Sequence, residues 1–552
     1  MMVRRVLPTV VAGLVLAASA GPANAAPTGR LVVLGEPGAA AAVRAGAAAA
    51  GERRAGPDVP QIGLVTVRPR RGESLAHAAR RIAARPGVTH VETERRMRLR
   101  ALPNDPALAT TDPVAGTLTS QLPSGTPQQW TPQREGFPGA WDVTKGATAL
   151  VGVIDTGVDA SHPDLQGKLA QLVDQQQPAG LRGPAGVDEE GHGTHVASLA
   201  CAATGNGIGI AGAGHDCRLV IEKTDLSDAS IAASIVDATD RGVHAINMSF
   251  GADGTRPASV AIKRAVRYAA HRDVVLVAAA ADEPVREQGD PSNLLQPTGT
   301  GPDLDAGVGL SVTAATYADE RASFAGFGSQ ISLAAYGAAG IAGSAPPGIV
   351  GAFPSGLTRF EQGTRPCGCR TSVGGDTRYG YLAGTSMAAP QVAAAAALVR
   401  TLNPDLPGRE VVRLLKRTAS RPAGAGWSAD LGWGILDAGR ALASARTIDR
   451  GRPVSQLSAA PGARAGTVSL RWTANDPAPE GVLASGVRTV EVVAVRLPDR
   501  RVQRRTLRAG QQTTTFRGDP GARYAFFTLA RDRAGNEERR PARADAVVRA
   551  PS

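Results

Sequence analysis

Residues 381–395 read Tyr-Leu-Ala-Gly-Thr-Ser-Met-Ala-Ala-Pro-Gln-Val-Ala-Ala-Ala. A Gly-led turn here delivers one hydroxyl, Ser386, to the start of an Ala-rich helical run. A helix start leaves backbone N–H groups unpaired and carries a partial positive charge. A negative oxygen developing beside Ser386 would meet the Ser386 N–H already in place. Gly384 and Ala388 lack bulk, so another backbone can approach closely. That is a setting for a nucleophile. The same stretch also fits an ordinary serine capping a helix, and the rest of the chain has to decide.

A serine hydroxyl needs a base, and the base needs an orienting carboxylate. Residues 149–155, Ala-Leu-Val-Gly-Val-Ile-Asp, form an apolar run of buried-strand type that ends in Asp155. Open α/β sheets place their chemistry at such strand ends. Residues 191–199, Gly-His-Gly-Thr-His-Val-Ala-Ser-Leu, read as a helix start with His192 at its tip. In the order Asp, His, Ser, these motifs resemble the subtilisin-like serine peptidases, the subtilase family. Asp155 falls in the family's Asp-Thr-Gly motif, His192 in His-Gly-Thr-His and Ser386 in Gly-Thr-Ser-Met-Ala. The resemblance covers roughly residues 100–445.

The resemblance implies an α/β fold, a subtilisin-like parallel sheet flanked by helices. It implies a serine endopeptidase acting on protein or peptide substrates, with Ser386 as nucleophile, His192 as base and Asp155 as its orienting partner. No catalytic cofactor is expected. Ala245-Ile-Asn-Met-Ser-Phe-Gly251 matches the family strand whose edge pairs with an extended substrate. Ser249, Phe250 and Gly251 are therefore substrate-binding candidates.

One departure matters. Where subtilases usually carry Gly-Asn, this chain has Ala281-Asp282 after a buried strand. The Asn amide is the family's side-chain oxyanion donor, and losing such a donor costs on the order of 10²–10³ in rate. An ionised Asp282 would set negative charge beside a negative oxygen. A protonated Asp282 would donate, and burial favours that form. Asp282 is thus the oxyanion candidate. It also leaves a second reading open: a weakly active or inactive subtilase-fold scaffold that binds through its cleft.

Residues 1–25 have the pattern of an export signal. Arg4 and Arg5 precede an apolar core, and Ala23-Asn24-Ala25 supplies a small-x-small cleavage site. A secreted, extracellular protein is expected. Residues 26–100 alternate strand and helix signals in β-α-β-α-β order, a small α+β segment. Its position resembles the family's propeptide, which chaperones folding and then blocks the cleft. The peptidase domain is expected over 101–445. Residues 450–552 show short strand signals separated by turns, as in an all-β sandwich, and weakly resemble fibronectin type III-like modules. This region holds 19 Arg against 9 Asp and Glu. Such an excess suits either contact with anionic cell-wall polymers or plain solubilisation.

The whole chain carries a net charge of +12. Its Arg residues are spread through every region without a basic run beside stacked aromatics, so no nucleic-acid partner is expected. Four cysteines allow three pairings; Cys201–Cys217 is the favoured one and leaves Cys367 with Cys369. His192 and His195 lack the Glu of a zinc-protease helix. Asp164, in Ser161-His-Pro-Asp164, and Asn206, in the Gly-rich loop 204–210, match subtilase calcium ligands. The resemblance there implies a structural calcium; the other reading is a Gly-rich turn without an ion.

Overall fold

A computed structural model describes residues 27–95 and 102–552, apart from residues 50, 57, 71, 86, 119, 177, 179, 253, 255–258, 341–347, 363–365, 423 and 425. The expected export signal, residues 1–25, lies outside the described residues. The chain divides into two units, residues 1–101 and 102–552.

In the first unit, four antiparallel strands lie in the order Arg53–Arg54, Leu64–Arg68, Pro27–Leu34 and His90–Arg95. Helices Ala40–Ala49 and Leu75–Ala83 accompany them, and Leu31, Val33, Val43, Val65 and Ile82 share one apolar core. Ser74 caps the second helix by accepting from the His77 N–H.

The second unit is built on a sheet of seven parallel strands. Their order is Leu333–Tyr336, Gly309–Ala315, Val275–Ala279, Ala245–Met248, Leu150–Asp155, Arg218–Lys223 and Leu169–Asp174. The central strands read as unbroken apolar runs because helices cover both faces. Alternate residues of the strand Ala245–Met248 show this: Ala245 joins one core cluster, and Ile246 and Met248 join the other. Helices Asp228–Asp240 and Val260–Ala270 cover the second face. The first face receives helices His192–Cys201, Thr385–Leu402, Gly408–Thr418 and Ala438–Ala445.

The helix Thr385–Leu402 is buried nearly all round, which explains its alanines. Ala393 to Ala397 have no exposed surface, and only small side chains let neighbours close in on every side. After the strand Leu150–Asp155 the chain builds one flank of the sheet, then crosses back to Ala245–Met248 beside the same strand. The carboxyl ends of these two neighbours mark the switch point where α/β sheets open a crevice.

The stretch from Ile341 to Tyr379 reads in sequence as a long loop. The structure instead forms a three-stranded antiparallel sheet, Ile349–Ala352, Asp376–Leu382 and Arg370–Val373 in that order. A Gly374-Gly375 turn, both residues at positive φ, closes its hairpin. Glycines and short strands hide the alternation that would have revealed it. The disulfides are Cys201–Cys217 and Cys367–Cys369.

Beyond the helix Ala438–Ala445 lie two antiparallel sheets. One has the order Val454–Pro461, Thr467–Asn475, Thr513–Arg517; the other Val502–Arg508, Val487–Leu497, Arg523–Asp532, Ala546–Arg549. Both contribute to one core containing Trp472, Val490, Tyr524 and Phe526. The strand Val502–Arg508 escapes sequence reading because only Leu507 is buried and its other residues are polar or exposed.

Candidate active site

Three elements bring Asp155, His192 and Ser386 to the crevice. Asp155 ends its parallel strand and is 2 % exposed. His192 is the first residue of its helix, entered through Gly191 at positive φ. Its Nδ1 lies 2.7 Å from Asp155 Oδ1. The Thr156 N–H donates to the same Asp155 oxygen at 2.8 Å. Burial opposes charge on the imidazole, but Asp155, Asp188 and Asp282 outweigh it and hold the His192 pKa above its ordinary value.

Asp188 was not visible as a site residue in the sequence, where it reads as one more loop acid. In the structure it caps the His192 helix. Its Oδ1 accepts from Thr156 Oγ at 2.8 Å and the Gly191 N–H at 3.0 Å; its Oδ2 accepts from the Thr194 N–H and hydroxyl at 2.8 and 2.6 Å. Thr156 Oγ in turn accepts from the Gly193 N–H at 2.9 Å. The Asp155 turn and the His192 helix are thereby tied together. Lys223, buried at the end of the neighbouring strand, steadies the approach to the helix. Its ammonium donates to the Val187 carbonyl and Glu189, both at 2.8 Å, and to the Arg182 carbonyl.

His195 faces away from the crevice. Its Nε2 meets the Ile349 and Gly380 carbonyls at 3.0 and 3.2 Å, so that nitrogen carries the hydrogen. Burial, reinforced by His192, pushes its pKa down to about 3. Gly351 lies against the ring; a Cβ there would stand 2.6 Å from it. This close approach seats the three-stranded sheet on the His192 helix.

Ser386 is 8 % exposed in the first turn of the helix Thr385–Leu402. Its hydroxyl donates to the Ser249 carbonyl at 3.1 Å, and the Ser249 hydroxyl donates to the Ser386 carbonyl at 2.9 Å. The second bond has a cause in the sequence. A helix carbonyl normally accepts from the N–H four residues on. For Ser386 that residue is Pro390, which has none. Ser249 supplies the missing donor and fixes the backbone of Ser386. Among the described residues no hydrogen bond joins the Ser386 hydroxyl to His192.

Asp282 stands against the start of the same helix. Its Oδ1 accepts from the Thr385 N–H at 2.7 Å and lies 3.0 Å from the Thr385 hydroxyl. Its Oδ2 lies 3.0 Å from where a Cβ on residue 384 would stand. Burial raises the Asp282 pKa, although the Thr385 bonds and His192 pull it back. Of the substrate-edge candidates, Ser249 is buried, whereas Phe250 and Gly251 line a cavity of about 810 Å³. Asp282, Thr385, Ser386 and Arg286 line it too.

Asp164 and Asn206 meet, but as partners of each other. Asn206 Nδ2 donates to Asp164 Oδ1 at 3.1 Å, and Asp164 Oδ2 accepts from the Ile210 N–H and the Tyr379 hydroxyl, both at 2.9 Å. In this arrangement Asp164 is served by protein donors, and Asn206 turns its amide N–H, not its carbonyl, towards it. A calcium ion there requires that amide to reverse. A cluster of Asp449, Asp476 and Asp532, carboxylates able to hold a metal ion, lies elsewhere.

The family model described as Subtilase family matches residues 146–434, just over half of the chain. Among similar proteins, a thermophilic serine proteinase of Bacillus sp. (strain AK1) is 30% identical over 342 residues, 59% of this chain and 71% of that one. Thermitase of Thermoactinomyces vulgaris is 29% identical over 309 residues, 54% of this chain and 91% of its own. An extracellular protease of Xanthomonas campestris pv. campestris is 29% identical over 455 residues, covering 73% and 69%. The matched span contains the Asp155 strand end, the His192 helix tip and the Ser386 helix, and with it the chain belongs to the subtilase family.

Proposed function

We propose that this serine endopeptidase cuts peptide bonds with Ser386, His192 and Asp155. Ser386 attacks the scissile carbonyl; His192 Nε2 takes its proton and passes it to the leaving amine. Asp155 holds the ring and stabilises its charged form. Water then cleaves the acyl-enzyme by the same route. The observation that carries this reading is the 2.7 Å bond from His192 Nδ1 to buried Asp155, which leaves Nε2 as the base. Attack requires the Ser386 hydroxyl to leave the Ser249 carbonyl and turn to the imidazole. The Ser386 N–H at the helix start and a protonated Asp282 receive the oxyanion. Phe250 and Gly251 flank the substrate, and the cavity beside them accepts a side chain.

The same proposal takes residues 1–25 as an export signal, 26–100 as a propeptide that inhibits the cleft, 101–445 as the peptidase domain and 450–552 as a β-sandwich. Secretion and contact of the Arg-rich C-terminal region with anionic cell-wall polymers belong to it. So does a structural calcium at Asp164 and Asn206.

The test is autoprocessing. Purified precursor and its Ser386→Ala variant are incubated, and mass spectrometry locates the new N-terminus. Loss of residues before about 100–130 in the wild type alone supports the reading. If neither chain is processed at acidic or alkaline pH, the inactive-scaffold reading, which rests on Asp282, takes precedence.

A further inference from the structure

Three aspartates from distant parts of the chain meet at the root of the C-terminal sheets. Asp449 lies between the last catalytic-domain helix and the first C-terminal strand. Asp476 follows the strand Thr467–Asn475, and Asp532 ends the strand Arg523–Asp532. They are 6 %, 9 % and 0 % exposed. One carboxylate oxygen from each lies within 4.8 Å of the others. Among the described residues, no lysine, arginine or histidine pairs with any of the three.

Neutral groups serve most of these oxygens. Asp449 accepts from the Gly451 and Ser485 N–H groups at 3.0 and 2.6 Å. Asp532 accepts from the Gly535 and Asn536 N–H groups and the Asn536 amide at 2.6–2.7 Å. Asp476 Oδ2 accepts from the Gly486 N–H at 2.6 Å and the Ser485 hydroxyl at 3.3 Å. Asp476 Oδ1 is different: it is buried and has no partner. A buried carboxylate oxygen without a donor is costly, and two further carboxylates beside it add repulsion. A cation between the three resolves both.

The chemistry of the donors selects the ion. All are hard oxygens, and none is nitrogen or sulfur. Calcium takes six to eight such ligands in flexible geometry, whereas magnesium demands a near-ideal octahedron. Zinc favours nitrogen and sulfur. We propose that Asp449, Asp476 and Asp532 bind a calcium ion that clamps the C-terminal sheets to the catalytic domain. The loop between Asp476 and Ser485 carries Val482 into the catalytic core cluster, and its Leu483 N–H donates to the Arg446 carbonyl at 2.8 Å. Asn403, at the end of the nucleophile helix, donates to the Ile448 carbonyl at 2.7 Å, next to Asp449. The ion thus joins the linker, this loop and a C-terminal strand end.

The experiment uses full chain carrying Ser386→Ala, so that it does not digest itself, stripped with EDTA. Calcium binding is counted by titration calorimetry, and melting is followed with and without calcium. Asp476→Asn and Asp449→Asn are each compared with this parent. Each should bind one calcium fewer per chain, or bind it at least tenfold more weakly, and lose most of the calcium-induced rise in melting temperature. In EDTA Asp476→Asn should melt no lower than the parent, because its amide nitrogen can replace the partnerless Oδ1 and one uncompensated charge is gone; Asp449→Asn, whose two oxygens both accept N–H groups, is read by calcium binding alone. Any calcium at Asp164 stays in all three proteins and cancels. The assignment is overturned if the variants bind as many ions with the same affinity, or if Asp476→Asn melts well below the parent in EDTA. It is also overturned if magnesium alone reproduces the calcium response.

Discussion

Replacing Asp282 with asparagine tests the oxyanion assignment directly. The substitution keeps the side chain's shape and its Oδ1, which accepts from the Thr385 N–H at 2.7 Å. The amide nitrogen then takes the place of Oδ2, beside the Gly384 backbone. In the wild type that position donates only when the carboxyl is protonated; in the variant it donates at every pH. One oxyanion donor is worth on the order of 10²–10³ in kcat, about 3–4 kcal/mol. The gain should be small at acidic pH and grow about tenfold per pH unit above the Asp282 pKa, until it reaches that ceiling. His192 moves as well. Asp282 helps to raise its pKa, so removing the charge lowers it and shifts the acid limb of the profile to lower pH. The assay is kcat/KM on a chromogenic peptide across the weakly acidic to alkaline range. A variant-to-wild-type ratio that stays constant with pH, or falls below one, refutes the role given to Asp282.

Ser249→Ala removes the donor that replaces the missing Pro390 N–H and leaves the Ser386 carbonyl buried without it. A stability loss of about 1–3 kcal/mol by denaturant unfolding is expected, with kcat lowered on the order of tenfold as Ser386 loosens. Asp188→Asn keeps the volume but sets an amide against Thr194 and Gly191 donors. Melting temperature and kcat should both fall, and the acid limb should move to lower pH because Asp188 also raises the His192 pKa. Glu222 is fully buried in the sheet, and burial, with Asp237 nearby, pushes its pKa up to about 8. The folded chain therefore holds this proton more tightly than the unfolded one, so its contribution to stability falls as pH rises from the unfolded carboxyl range to about 8. Glu222→Gln should stabilise the protein at alkaline pH, by on the order of 5 kcal/mol at most, and change little at acidic pH. Melting curves at the two pH values check this.

Much of the catalytic domain is legible in the chain because its signals are local. An apolar run ending in Asp155, a His at a helix start and a serine before an alanine run each declare themselves within about ten residues. Periodicity and capping work over that range. The alanines of 393–397 announce a helix, but only the structure shows that it has no solvent face. What the sequence does not declare is which distant groups meet. Asp188 reads as a loop acid until the helix start and Thr156 turn their N–H and hydroxyl groups onto it. Lys223 reads as an exposed strand end until the loop before His192 wraps its ammonium. The exchange between Ser249 and Ser386 joins residues 137 apart; Pro390 creates the need for a donor, but only the sheet order supplies one. The sheet formed by residues 349–382 has strands whose alternation is hidden by glycines, and it takes shape against His195, with Gly351 letting the ring approach. The three aspartates at 449, 476 and 532 are ordinary turn residues in sequence. Their burial together follows from chain closure, which no local preference encodes.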